Sequence, residues 1–144
     1  MRTEDGIVKL SDGSTLLLKV FIVDIRELGG FSPFAGVNLV VNVTVGITVK
    51  EVPKELSKRV QDKPVVDLTV PQDGWEMVEI DRDHSRPAVV ETEFNSSKGP
   101  LLVRAEVEAV MAARNLNYRD RLGEPLYFIS WVYKVSWRPK GEGG

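Results

Sequence analysis

From Val37 to Val49 every odd-numbered residue is apolar: Val37, Leu39, Val41, Val43, Val45, Ile47 and Val49. Apart from Val40, the even positions between them are polar or small: Asn38, Asn42, Thr44, Gly46 and Thr48. Alternation with period two marks a strand with one buried face and one wet face, because successive side chains leave the backbone on opposite sides. The run is about twice as long as a usual strand of five or six residues. A chain containing such a strand must provide others to pair with it and a second layer to cover its apolar row.

The flanking segments supply both. Residues 6–10 and 14–27 enclose Ser11-Asp12-Gly13, a hairpin signal in which Gly13 can take the positive φ of a tight turn. The second of these runs is apolar on both faces through its middle, which predicts a strand covered on both sides and not at an edge. Breakers fill Gly29-Gly30-Phe31-Ser32-Pro33-Phe34, a loop. One short helix is predicted near 53–61: Pro53 suits a first helical turn, and Leu56 and Val60 stand at i and i+4. At about two turns it is too short to be stable alone and must pack on the sheet.

Strand patterns follow at 65–70, 75–81, 88–95, 101–113 and 126–137, with Asn95 to Gly99 as a second hairpin connection. In 101–113 the alternation assigns Val103, Ala105, Val107, Ala109 and Met111 to one face and Arg104, Glu106 and Glu108 to the other. In 126–137 it gathers Tyr127, Ile129, Trp131, Tyr133, Val135 and Trp137 on one face, an aromatic stripe expected in the core. The fold class expected is all-β and mainly antiparallel, about eight strands in a barrel or a two-sheet sandwich. Residues 1–138 are expected to form a single β-rich domain, followed by a flexible Gly-rich tail over 139–144. That tail ends in Gly143-Gly144. The pair resembles the ending of ubiquitin-like modifiers over two residues only, and the long helix those folds place after their first hairpin is replaced here by a strand.

With 144 residues and no cysteine, the chain can bury a core without staples, and thiolate metal sites and a cysteine nucleophile are excluded. A net charge of −2 does not suit a general polyelectrolyte binder. Residues 67–108 carry ten acids against four bases, whereas 109–144 carry three acids against six bases, so the two regions can complement each other. The charged start, with no apolar stretch after it, predicts no secretory signal; no run is long enough for a membrane helix, and a cytoplasmic location is expected. High charge without cysteine also resembles thermophile composition.

Three constellations bear chemistry. Glu91 and Glu93, with Glu106 and Glu108 on the strand expected to pair with theirs, would project from one face. With His84 from the preceding loop they form a candidate site for a divalent cation, since clustered carboxylates suit hard ions. The competing reading is a solvated face paired with Arg104 and Lys98. A second candidate is the loop containing Arg114, Asn117, Tyr118, Arg119 and Arg121, whose guanidinium forks suit an anionic ligand and whose tyrosine could stack on a base. The competing reading is a hydrated loop paired with Asp120 and Glu124. Thirdly, Asp81, His84 and Ser85 are adjacent in sequence, but neighbours in one loop point apart, and no G-x-S-x-G occurs. No catalytic residue is assigned and no cofactor is expected beyond that cation. The function expected is a binding or assembly module, homo-oligomeric because long strands expose edges that proteins hide. The alternative is a small enzyme, or a binder of anionic ligand or nucleic acid, using one of the two charged groups.

Overall fold

Eight antiparallel strands pair into two sheets in the computed structural model, which describes residues 1–66 and 69–141. In chain order the elements are β1 (Arg2–Glu4), β2 (Gly6–Lys9), β3 (Thr15–Leu28), β4 (Asn38–Glu51), α1 (Lys54–Arg59), β5 (Trp75–Val78), β6 (Ala88–Ser96), β7 (Gly99–Asn115) and β8 (Leu126–Pro139). The smaller sheet runs β2-β3-β4. In the larger one β7 is the spine: β8 lies along one edge, and β6, followed by β1, lies along the other. Beyond the end of β6, β5 takes up that same edge of β7 at residues 112–115.

The sheets stack as a sandwich, with β3 over β6 and β7, and along one side the chain itself ties them together. There the chain passes from β1 in one sheet to β2 in the other through Asp5 alone. Gly6 permits this corner: a Cβ on it would lie 2.6 Å from the Ala88 backbone nitrogen. Ile7 and Arg86 then exchange backbone hydrogen bonds, and Asp81 N donates to the Lys9 carbonyl. On the opposite side β4 and β8 end the two sheets, and among the described residues no ladder joins them into a barrel.

The long strand forms as its alternation predicts, with Val37 and Val41 buried and Asn42, Thr44 and Thr48 exposed. The hairpin turn at Gly13 has φ +92°. Helix α1 buries Leu56, with Val60 buried just after it. One core cluster joins Val8, Leu16, Leu18 and Val20 of the small sheet to Val90, Ala105, Val107 and Ile129 of the large one. A second joins Val37 and Val41 to Leu101 and Val103, with Val135 and Trp137 packed against it.

The ladders contain three register slips: one between Thr15 and Leu16 leaves Lys50 of β4 unpaired, and the other two change what alternation alone predicts. In β3 the register slips between Ile22 and Asp24, leaving Val23 unpaired and 67% exposed. The buried row is therefore even-numbered before the bulge and continues at Ile25 after it. β3 is central in its sheet as expected, but it is not covered on both faces: Phe21 and Val23 are exposed. In β7 the slip between Ala109 and Met111 turns Met111 outward and Ala112 into the core, so Met111 does not continue the row of Val103 to Ala109.

Of the strand expected at 65–70, residues 67 and 68 lie outside the described residues, and Val65 makes an isolated parallel bridge to Arg119. The eighth strand is instead β1, whose short charged sequence carries no alternation to detect. Of the tail expected over 139–144, Pro139 completes β8 and Lys140 N still bonds the Pro100 carbonyl. Residues 142–144, the Gly-Gly pair included, lie outside the described residues.

Candidate functional site

Two regions are candidates for function: a polar network at one end of the sandwich, and the unclosed side between β4 and β8. The network begins in the β2–β3 turn, where Asp12 Oδ1 accepts a hydrogen bond from Ser14 N at 2.8 Å. Asp12 Oδ2 accepts from Arg114 Nη1 and from the Tyr127 hydroxyl, both at 3.0 Å. The Ser14 hydroxyl is bonded in turn to the Tyr127 oxygen at 2.5 Å. Strand register builds the rest, because Glu76, Arg114 and Tyr127 stand side by side on β5, β7 and β8. Arg114 Nε donates to Glu76 Oε1 at 2.6 Å.

The Asp12 side chain is 7% exposed and that of Arg114 18%, so this ion pair lies in a low-dielectric setting. Burial opposes the Arg114 charge, but its hydrogen bonds to Glu76 and Asp12 outweigh that and raise its pKa. Burial also raises the Tyr127 pKa, reinforced by the nearby Asp12 carboxylate. Tyr127 is thus held neutral as a donor. Among the described residues no buried side-chain nitrogen or oxygen lacks a partner. Its groups bonded to one another, the network locks the first hairpin onto the large sheet.

A second polar device fills the gap on β7 between β6 and β5. Arg82, from a 3-10 turn at Arg82–His84, donates Nη1 to the Ala109 carbonyl and Nη2 to the Val110 carbonyl, each at 2.6 Å. It supplies the bonds that a strand would otherwise make at the bulge.

Glu91, Glu93, Glu106 and Glu108 do share the outer face of the large sheet, but register interleaves them with cations. Glu91 stands opposite both Arg104 and Arg2. Lys134 lies opposite Glu106 and reaches Glu108 at 3.6 Å; Lys140 meets Glu93 at 2.9 Å. His84 is turned to Asp81, at 2.8 Å. Among the described residues no three His, Asp or Glu side chains are grouped to hold a metal ion. The acidic and basic regions of the chain therefore complement each other within the large sheet.

The residues of the arginine loop are engaged with different neighbours. Arg114 lies in β7 and belongs to the network above. Arg119 Nε donates to the Lys63 carbonyl at 2.8 Å, and the Tyr118 hydroxyl to Asp73 at 3.1 Å. Asn117 N donates to the buried Asn115 side chain at 3.0 Å, and Arg121 sits exposed in the following turn. Asp120 Oδ1 accepts from Leu122 N and Glu124 N and shapes that turn.

The unclosed side is the more extended feature. β4 and β8 have equal length, fourteen residues each, and among the described residues each pairs with a strand on one side only. Lining the opening, Val43, Val45 and Val49 of β4 and Trp131 and Val135 of β8 are only partly buried. Ile47 is also exposed there, and Tyr133 is 48% exposed. The aromatic stripe thus faces inward as expected, but it forms the rim of the core. β8 is tied to the small sheet's side of the sandwich near both of its ends, through the loop before β4 and the β2–β3 turn. Trp137 Nε1 donates to the Phe34 carbonyl at 3.1 Å, and the Tyr127 network closes the other end.

No protein-family model matches this chain, and neither a curated protein nor a solved structure matches it. No helix among the described residues is long and apolar enough to cross a membrane.

Proposed function

We propose that this chain is a non-catalytic assembly module that works as a homo-oligomer joined along its unclosed side. The observation that carries the reading is the pair of long strands, β4 and β8, each with one edge unpaired among the described residues and each beside a half-exposed apolar row. Such edges present rows of backbone donors and acceptors, and proteins cover, guard or pair them. The charged groups support the same reading. The glutamates of the large sheet meet lysines and arginines, and Asp12, Arg114 and Tyr127 bond one another. Light scattering of the purified chain tests this. A mass of at least twice the 16.1 kDa chain is expected at micromolar concentration, and a monodisperse monomer up to high concentration overturns it.

A further inference from the structure

We infer that β4 is the joining edge and that its occupant is β4 of a second copy, antiparallel to it about a two-fold axis at Thr44. This rests on the assembly reading above and names its partner and register. From Asn38 to Val49 the strand has no charged residue and no proline, and the devices that guard natural edges, a bulge at Lys50 and the charges of Lys50 and Glu51, are confined to its last two residues. The other open edge is guarded within its length as well as at its end, since β8 has Lys134 mid-strand besides Arg138 and a terminal Pro139.

The self-match follows from parity. Opposed residues of an antiparallel pair share a face, so an axis centred on a residue keeps odd positions opposite odd ones. An axis between two residues would set the apolar row against the polar one. With the axis at Thr44, nearly the whole strand pairs. On the inner face Leu39 meets Val49 of the second copy, Val41 meets Ile47 and Val43 meets Val45. On the outer face Val40 meets Thr48, Asn42 meets Gly46 and Thr44 meets its own counterpart. The regular pairing ends at Val49, before the bulged Lys50, so no charge lies within it. The apolar row that is half-exposed in one copy becomes continuous across two. The contact is isologous, so it closes at a dimer and does not propagate into a filament.

The absence of cysteine gives a clean probe. Thr44 is exposed on the outer face. In this register a Thr44→Cys variant places its thiol opposite its own copy at about 4.5–5.5 Å between Cα atoms, within disulfide reach. Oxidation is expected to give a cross-linked dimer. Thr48→Cys should not cross-link, because Thr48 lies roughly 26 Å along the strand from its counterpart. Thr44→Lys sets like charges face to face and should weaken the dimer at least tenfold, as should Thr44→Glu. A mixture of the two should recover the dimer. Circular dichroism and melting of the separated variants control for folding, and the near-isosteric cysteine variant reads the register if the charged ones fail to fold. A dimer indifferent to both charges, or cross-linked equally at 48, overturns the β4 register while leaving the assembly reading intact. A native chain that stays monomeric overturns both.

Discussion

Arg82 carries a job that no local pattern announces. Its guanidinium reaches two consecutive carbonyls, of Ala109 and Val110, at the point where β7 loses β6 and has not yet gained β5. Arg82→Ala leaves both acceptors without that donor and is expected to cost about 1–3 kcal/mol, measured as a shift in urea midpoint. Arg82→Lys should recover only part, because an ammonium cannot span two carbonyls as a fork does. Tyr127 governs the alkaline side. Burial keeps its hydroxyl neutral in the folded protein beyond the range where a free tyrosine ionises, about 10. As the pH rises past that value the unfolded chain loses a proton that the folded one retains, so stability falls. Tyr127→Phe removes this contribution. Its melting temperature should fall less steeply than wild type above about pH 10, although at neutral pH it starts lower because Ser14 and Asp12 lose a partner. Equal slopes would contradict the role given to Tyr127.

At the scale of elements, alternation located the long strands because each has one face in the core. The Val37 run, the 88–95 and 101–113 segments and the aromatic strand all appear where their periodicity put them. What alternation could not reveal is where parity changes. The bulges at Val23 and Val110 occur within apolar runs, so no residue type marks them, and Met111 was accordingly assigned to the wrong face. β1 was invisible for a different reason: three exposed residues have no buried row. The candidate sites were legible only as shared faces. Whether a glutamate on β7 meets another acid or a lysine depends on β8, whose register relative to β7 is a long-range property. Asp12 looked like a turn residue, and its link to Arg114 spans most of the chain.

The tip of the sandwich gives an element-scale test. Glu27 at the end of β3 accepts hydrogen bonds from the Ser97 hydroxyl and amide in the β6–β7 turn, and these hold its pKa below the ordinary glutamate value. A depressed folded-state pKa means stability that is present above the unfolded value and lost as the pH drops through the folded one. Glu27→Gln should therefore flatten the acid limb of melting temperature against pH. An unchanged limb would contradict the contact's contribution.

For the whole molecule, the central feature is a sandwich tied on one side and open on the other. The β1–β2 corner, with the bonds that 79–86 makes to β2 and the β2–β3 turn, closes one flank. At the ends of the other, the Tyr127 network, the Trp137 bond and the bonds of 64–66 to Arg119 hold the layers together. Two long edges remain there, and the account holds that β4 is covered by its own copy. Residue-resolved amide hydrogen exchange tests this most directly. Successive amides of a strand point to opposite edges, so in a lone chain only alternate residues of β4 bond β3 and exchange slowly. In the assembled protein both series from Leu39 to Val49 are predicted to be slow, and dilution or Thr44→Lys should restore fast exchange to the outward series alone. If the alternating pattern persists at concentrations well above those at which the chain associates, β4 is not the joining edge and the account is wrong.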